Sequence, residues 1–76
     1  MATKAFILIE TVVGKNREVV SAIRQLKGIK SAESVAGPYD VIAVIEADNI
    51  TEIGDTITSE LHTIDGVART VTCLVV

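Results

Sequence analysis

The chain predicts an α+β fold of order β-α-β-β-α-β, a four-stranded antiparallel sheet with two helices on one face. Three observations carry this. Two short runs, Ala5-Phe6-Ile7-Leu8-Ile9 and Val41-Ile42-Ala43-Val44-Ile45, are apolar at every position, so they suit strands covered on both faces. Two other segments space their apolar residues as helices do. The halves also echo one another, with Leu26-Lys27-Gly28-Ile29-Lys30-Ser31-Ala32 matching Ile64-Asp65-Gly66-Val67-Ala68-Arg69-Thr70, each setting a glycine between helix end and strand start.

Taken in order, Thr3 to Val12 reads as the first strand, and Gly14-Lys15-Asn16 breaks it. From about Arg17 to Lys27 the stripe Val19, Ile23, Leu26, flanked by Val20 and Ala22, predicts an amphipathic helix that Gly28 stops. Ile29 to Ala36 mixes polar and apolar residues as an edge strand does, with Ile29, Ser31, Glu33 and Val35 on one side. Gly37-Pro38 turns the chain into the strand Asp40 to Ala47. Asn49-Ile50-Thr51-Glu52 has capping-box spacing and opens a second helix to about Leu61, with the stripe Ile50, Ile53, Ile57, Leu61. Gly54 inside it costs about 1 kcal/mol relative to alanine, which suggests a close packing contact there. Val67 to Val76 forms the last strand. Right-handed crossovers make this ferredoxin-like, with the two apolar runs central and the second and fourth strands at the edges.

Such a domain has a deficit. Two helices shield one side of the sheet, and a chain of 76 residues buries only roughly 60 to 65 per cent of its unfolded surface. Cys73 is the single cysteine, so no intrachain disulfide can form, and no Cys/His spacing suits zinc. Self-association is the remaining way to cover the second face, so a homo-oligomer is expected.

Charge and composition narrow the function. Seven Lys/Arg against ten Asp/Glu give a net charge of −3, the basic residues are scattered, and Phe6 and Tyr39 are the only aromatics, which argues against direct nucleic-acid binding. Sparse cysteine, no charged-then-apolar leader at Met1-Ala2-Thr3-Lys4 and no apolar stretch near the ~20 residues of a membrane span lead to the expectation of a soluble, cytoplasmic protein without a membrane partner.

Catalysis finds little support. His62, the only imidazole, lies near the end of the second helix without partners for metal or acid-base work, and a helix C-terminus or solvent accounts for it. Cys73, between Thr72 and Leu74, reads as a packed small apolar residue. No set of nucleophile, base and orienting group can be assembled, so a non-enzyme without metal or cofactor is expected. The segment Ala36-Gly37-Pro38-Tyr39-Asp40 is more informative. Gly37 permits unusual backbone or a close approach, Pro38 stiffens the turn, and Asp40 sets a carboxylate before a wholly apolar strand. That carboxylate either receives a ligand's ammonium or caps the turn through backbone N–H groups.

Gly37-Pro38-Tyr39-Asp40 before an apolar strand resembles the Gly-Asp-Tyr/Phe-Asp turn of the Lrp/AsnC family of transcription regulators, in its effector-binding (RAM) domain. Ile64-Asp65-Gly66-Val67 leading to Thr70-Val71-Thr72 resembles that family's Leu-Pro-Gly-Val and Thr-x-Thr pattern. The resemblance covers residues 1–76 as a single domain. It departs in two ways: a first strand at about Thr3 leaves no room for the family's helix-turn-helix, so a stand-alone effector domain without a DNA-binding domain is expected, and Pro38 replaces the commoner acidic residue.

The resemblance implies dimers formed through the sheet, rings of such dimers, and small effectors, often amino acids, bound between dimers. The leading expectation is an amino-acid-responsive regulatory domain that self-associates and joins full-length regulators of the family. Carried over by position, the ligand residues are Asp40, Ser34, Ile50, Cys73, Leu74 and Val75, beside the turn Gly37, Pro38 and Tyr39. Asp40 would hold the ammonium, backbone N–H groups the carboxylate, and the apolar residues would set side-chain preference. Rival readings are an ACT-like amino-acid-binding domain, whose sheets pair edge to edge; an enzyme of the dimeric α+β barrel type, which the apolar central strands disfavour; and an oligomerisation adaptor without a ligand.

Overall fold

The computed structural model describes residues 2–76. Along the chain come β1 (Thr3–Thr11), α1 (Asn16–Ile23), β2 (Ile29–Ser34), β3 (Val41–Ala47), α2 (Ile50–Ser59), a 3-10 turn (Leu61–Thr63) and β4 (Val67–Leu74). The strands form one antiparallel sheet in the order β2-β3-β1-β4, so the two apolar runs are central, as expected.

Pairing fixes which residues share a face. Ala5 lies opposite Ile45, Ile7 opposite Ala43 and Ile9 opposite Val41, and all six are buried, with Val19, Val20 and Ile23 of α1, Ile53 and Ile57 of α2, and Leu61. This is the core, between the helices and one side of the sheet. The alternate residues Phe6, Leu8, Ile42 and Val44 point the other way, joined by Val71 and Cys73, which pair with Leu8 and Phe6. Among the described residues no layer covers that face, and Phe6 is 39% exposed.

Several element boundaries differ from the sequence reading. α1 stops at Ile23, short of Lys27, because Gln25 N–H bonds to Ala22 O and Leu26 N–H to Ile23 O, tightening the chain into three-residue turns. α2 stops at Ser59, and Leu61 is buried from the separate 3-10 turn. In β2 a register shift between Ile29 and Ser31 leaves Lys30 unpaired. Ile29 therefore faces the core with the buried Ala32, and does not share a side with Ser31 and Glu33 as the simple alternation implied.

The repeated glycines have a physical cause. Gly28 and Gly66 have φ of +88° and +100°, and a Cβ would lie 2.8 Å from Glu46 O at Gly28 and 2.8 Å from Lys15 Cβ at Gly66. Each half thus returns from helix to strand through a left-handed residue pressed against its neighbour. Gly54 is different. A Cβ there would meet nothing within 4 Å, so the expected packing contact is absent among the described residues. The predicted cap of α2 is present: Asn49 Oδ1 accepts Glu52 N–H at 2.9 Å, and Glu52 Oε2 reaches back to Asp48 N–H at 3.1 Å.

Candidate functional site

The residues singled out for a ligand fall into two groups at opposite ends of the sheet. Asp40 and Ser34 belong to the end where the β2–β3 hairpin meets the exit of β1. There Asp40 Oδ2 accepts Thr11 N–H at 2.8 Å, Asp40 N–H bonds to Ile9 O and Val35 N–H to Asp40 O, both at 2.9 Å. The carboxylate thus bonds backbone across strands, reaching Thr11 of β1 and not the N–H groups of its own turn that the sequence reading offered. Ser34 Oγ accepts Asn16 Nδ2–H at 2.8 Å, tying the hairpin to the start of α1.

The turn itself is an exposed tip. Gly37 has no positive φ and open space around its Cβ position, so neither special property inferred for glycine is used within the chain. Pro38 is exposed and Tyr39 half-buried. Val12 and Val13 stand beside this end of β1 and are also exposed, which adds apolar surface.

Ile50, Leu74 and Val75 belong to the other end. Six residue steps separate Val41 from Ala47, so the hairpin and the start of α2 are about 20 Å apart along the sheet. One copy cannot offer both groups to one small molecule. Ile50 and Leu74, 58% and 40% exposed, instead line an open groove between α2 and β4 of about 340 Å³, with Ile53, Gly54, Ile57, Thr58 and Thr72. Val75 continues past β4, its N–H bonded to Lys4 O at 2.9 Å. Cys73 does not share the groove: it is exposed on the uncovered sheet face, because it pairs with Phe6. Strand alternation at Cys73 and Leu74 makes them face opposite ways, a signal present in the sequence that the motif-based assignment passed over. The spacing Ile50, Gly54, Thr58 likewise marks one helical side that the core stripe does not use.

His62 lies in the 3-10 turn, not at the end of α2, and its Nε2 contacts Thr70 Oγ1 at 2.8 Å. Among the described residues no cluster of three or more His, Cys, Asp or Glu is arranged to hold a metal ion, and no helix is long and apolar enough to cross a membrane.

Architecture and surface together define the class: a ferredoxin-like α+β domain with one apolar sheet face left open. Within that class the chain belongs to the Lrp/AsnC ligand binding domain family, whose model matches residues 4–76. It is 36% identical over 75 residues to an uncharacterized HTH-type transcriptional regulator of Pyrococcus horikoshii, covering 95% of this chain and 50% of that protein. The chain spans about half the length of the curated relatives it matches. A crystal structure from Thermus thermophilus superposes with a TM-score of 0.93 at 31% identity, over 97% of this chain and 92% of that one. A transcriptional regulator of Neisseria meningitidis solved as an L-Met complex has the same fold, with a TM-score of 0.86 at 17% identity over 97% of this chain and 49% of that one.

Proposed function

We propose that the chain is a non-enzymatic regulatory domain that self-associates in the cytoplasm, binds an amino acid or similar small effector between copies, and modulates full-length regulators of its family. The observation that carries this is the match to a ligand-binding family along residues 4–76 in a domain whose second apolar sheet face is bare. A second copy packed on Phe6, Leu8, Ile42 and Val44 covers that face, and a ligand favouring one assembly shifts the population toward it. The fold-level likeness to a regulator solved with L-Met makes amino acids the first class to test.

The two residue groups sharpen the proposal. Because Asp40 and the Ile50–Leu74 groove lie about 20 Å apart, a site using both takes them from different copies. Light scattering across a concentration series, with and without a mixture of amino acids, tests the reading: an assembly whose size or stability responds to one amino acid supports it. A stable monomer overturns self-association, and an assembly indifferent to every amino acid favours the adaptor. For Asp40, substitution by Asn keeps an oxygen acceptor for Thr11 N–H and removes the charge. Weaker binding in Asp40→Asn with an unchanged melting temperature assigns the carboxylate to the ligand's ammonium; unchanged affinity removes it from the site.

A further inference from the structure

The grooves on the surface differ in charge. On the β2 side of the helical layer, a groove of about 360 Å³ is bordered by Arg17, Arg24 and Glu33. Arg24 Nε and Nη2 donate to Ala32 O at 3.0 and 2.8 Å and Arg24 pairs with Glu33 at 3.7 Å, so this side chain closes that edge of the sheet. Beside Gly28 lies a groove of about 470 Å³ with Lys27, Glu46, Asp48, Glu52 and Asp55 around it, and His62 and Arg69 border another of about 370 Å³. The groove between α2 and β4 contrasts with all three. Here the edge strand is hydrogen-bonded to β1 alone, and the lining has no ionisable side chain: the buried Ile53 and Ile57 form the floor, with Ile50 and Gly54 of α2 and Thr72 and Leu74 of β4 as the rims.

Gly54 is the anomaly of that groove. A glycine inside a helix costs stability relative to alanine, and here neither a positive φ nor a close approach among the described residues offsets the cost. A local rule broken without local compensation marks a functional position. Resting on the effector reading above, we infer that the α2–β4 groove is the seat of the effector's side chain, that it selects an uncharged aliphatic side chain of about leucine size, and that the absent Cβ of Gly54 makes the room. The volume of about 340 Å³ is at the small end of ligand sites, which fits an amino-acid side chain. A carboxylate or ammonium placed there loses water without meeting an opposite charge, whereas each methylene buried against Ile50, Ile53, Ile57 and Leu74 gains roughly fourfold in affinity. The hydroxyls of Thr58 and Thr72 belong to exposed residues at the rim. The groove opens on the helical side of the sheet, so a copy packed on Phe6 leaves it accessible, and the ionic groups of the amino acid extend beyond it toward Asp40 of another copy.

Calorimetric titration of the unaltered protein with L-leucine, L-glutamate and L-lysine reads the class of side chain, and Gly54→Leu reads its seat. L-leucine is expected to bind more than about tenfold more tightly than either charged amino acid. Gly54→Leu, whose own side chain occupies the groove, is expected to weaken L-leucine binding by about tenfold or more with a melting temperature no lower than the parent's. A charged amino acid bound within about tenfold of L-leucine, or an unchanged L-leucine affinity in folded Gly54→Leu, overturns the inference and leaves the effector reading standing. Absence of L-leucine binding overturns it too, and the amino-acid mixture then decides the effector reading separately. Should Gly54→Leu fail to fold, NMR of the unaltered protein decides: Gly54 and Thr58 amide signals that move on saturation with L-leucine support the seat, and signals that stay in place overturn it.

Discussion

The two faces of the sheet are built from the same strands and have opposite fates. Ala5, Ile7, Ile9, Val41, Ala43 and Ile45 are covered by α1, α2 and the turn at Leu61, while one step along the same strands Phe6 is exposed and Leu8, Ile42 and Val44 are half-buried. The ends of the open patch are ionic: Lys4 lies opposite Glu46 and Glu10 opposite Arg69, and Lys4 Nζ stands 5.5 Å from the centre of the Phe6 ring. An apolar centre with charged borders is the anatomy of a protein interface. Hydrophobicity alone therefore does not say which residues hold the fold; the side of the strand does.

Substitutions on the two faces make that contrast measurable. The largest effect is expected for Ile7→Ala, which empties space at a fully buried position and should cost about 3 kcal/mol of folding stability in a denaturant titration. Next comes Gly28→Ala, where a left-handed backbone and a Cβ 2.8 Å from Glu46 O combine; a loss of about 2 kcal/mol is expected by thermal melting, and an unchanged melting temperature would show that the β3 backbone yields. Asn49→Ala removes the acceptor for Glu52 N–H and should cost about 1 kcal/mol.

On the open face, Phe6→Ala should change the stability of the isolated chain by less than about 1 kcal/mol, with its main effect on association. A loss as large as that of Ile7→Ala at dilutions where the protein is monomeric would erase the distinction between the faces. The smallest effect has the opposite sign. Gly54→Ala fills open space in a helix interior and should stabilise the chain by up to about 1 kcal/mol.

Much of the fold was legible because its signals are local and periodic. The apolar runs marked the central strands, Asn49 to Glu52 the cap of α2, and Gly28 and Gly66 the two left-handed returns. The errors arose where a contact or a shift elsewhere intervened. Lys30 is skipped by the β2–β3 ladder, which turns Ile29 toward the core, and the end of α1 tightens before Lys27. The site was less legible. Motif resemblance collected Asp40, Ser34, Ile50, Cys73, Leu74 and Val75, but nothing in a motif measures the length of the strand between Asp40 and Ile50.

By itself the sequence determined the element order, the central strands, the caps and the shortage of covering layers, since these follow from side-chain spacing and from how little two short helices can shield. Only the tertiary structure decided that Asp40 bonds to Thr11, that Arg24 closes one edge while β4 stays open, and that Cys73 falls on the open face while Leu74 lies beside α2. Those outcomes depend on register and on contacts between residues far apart in the chain, which local periodicity does not encode.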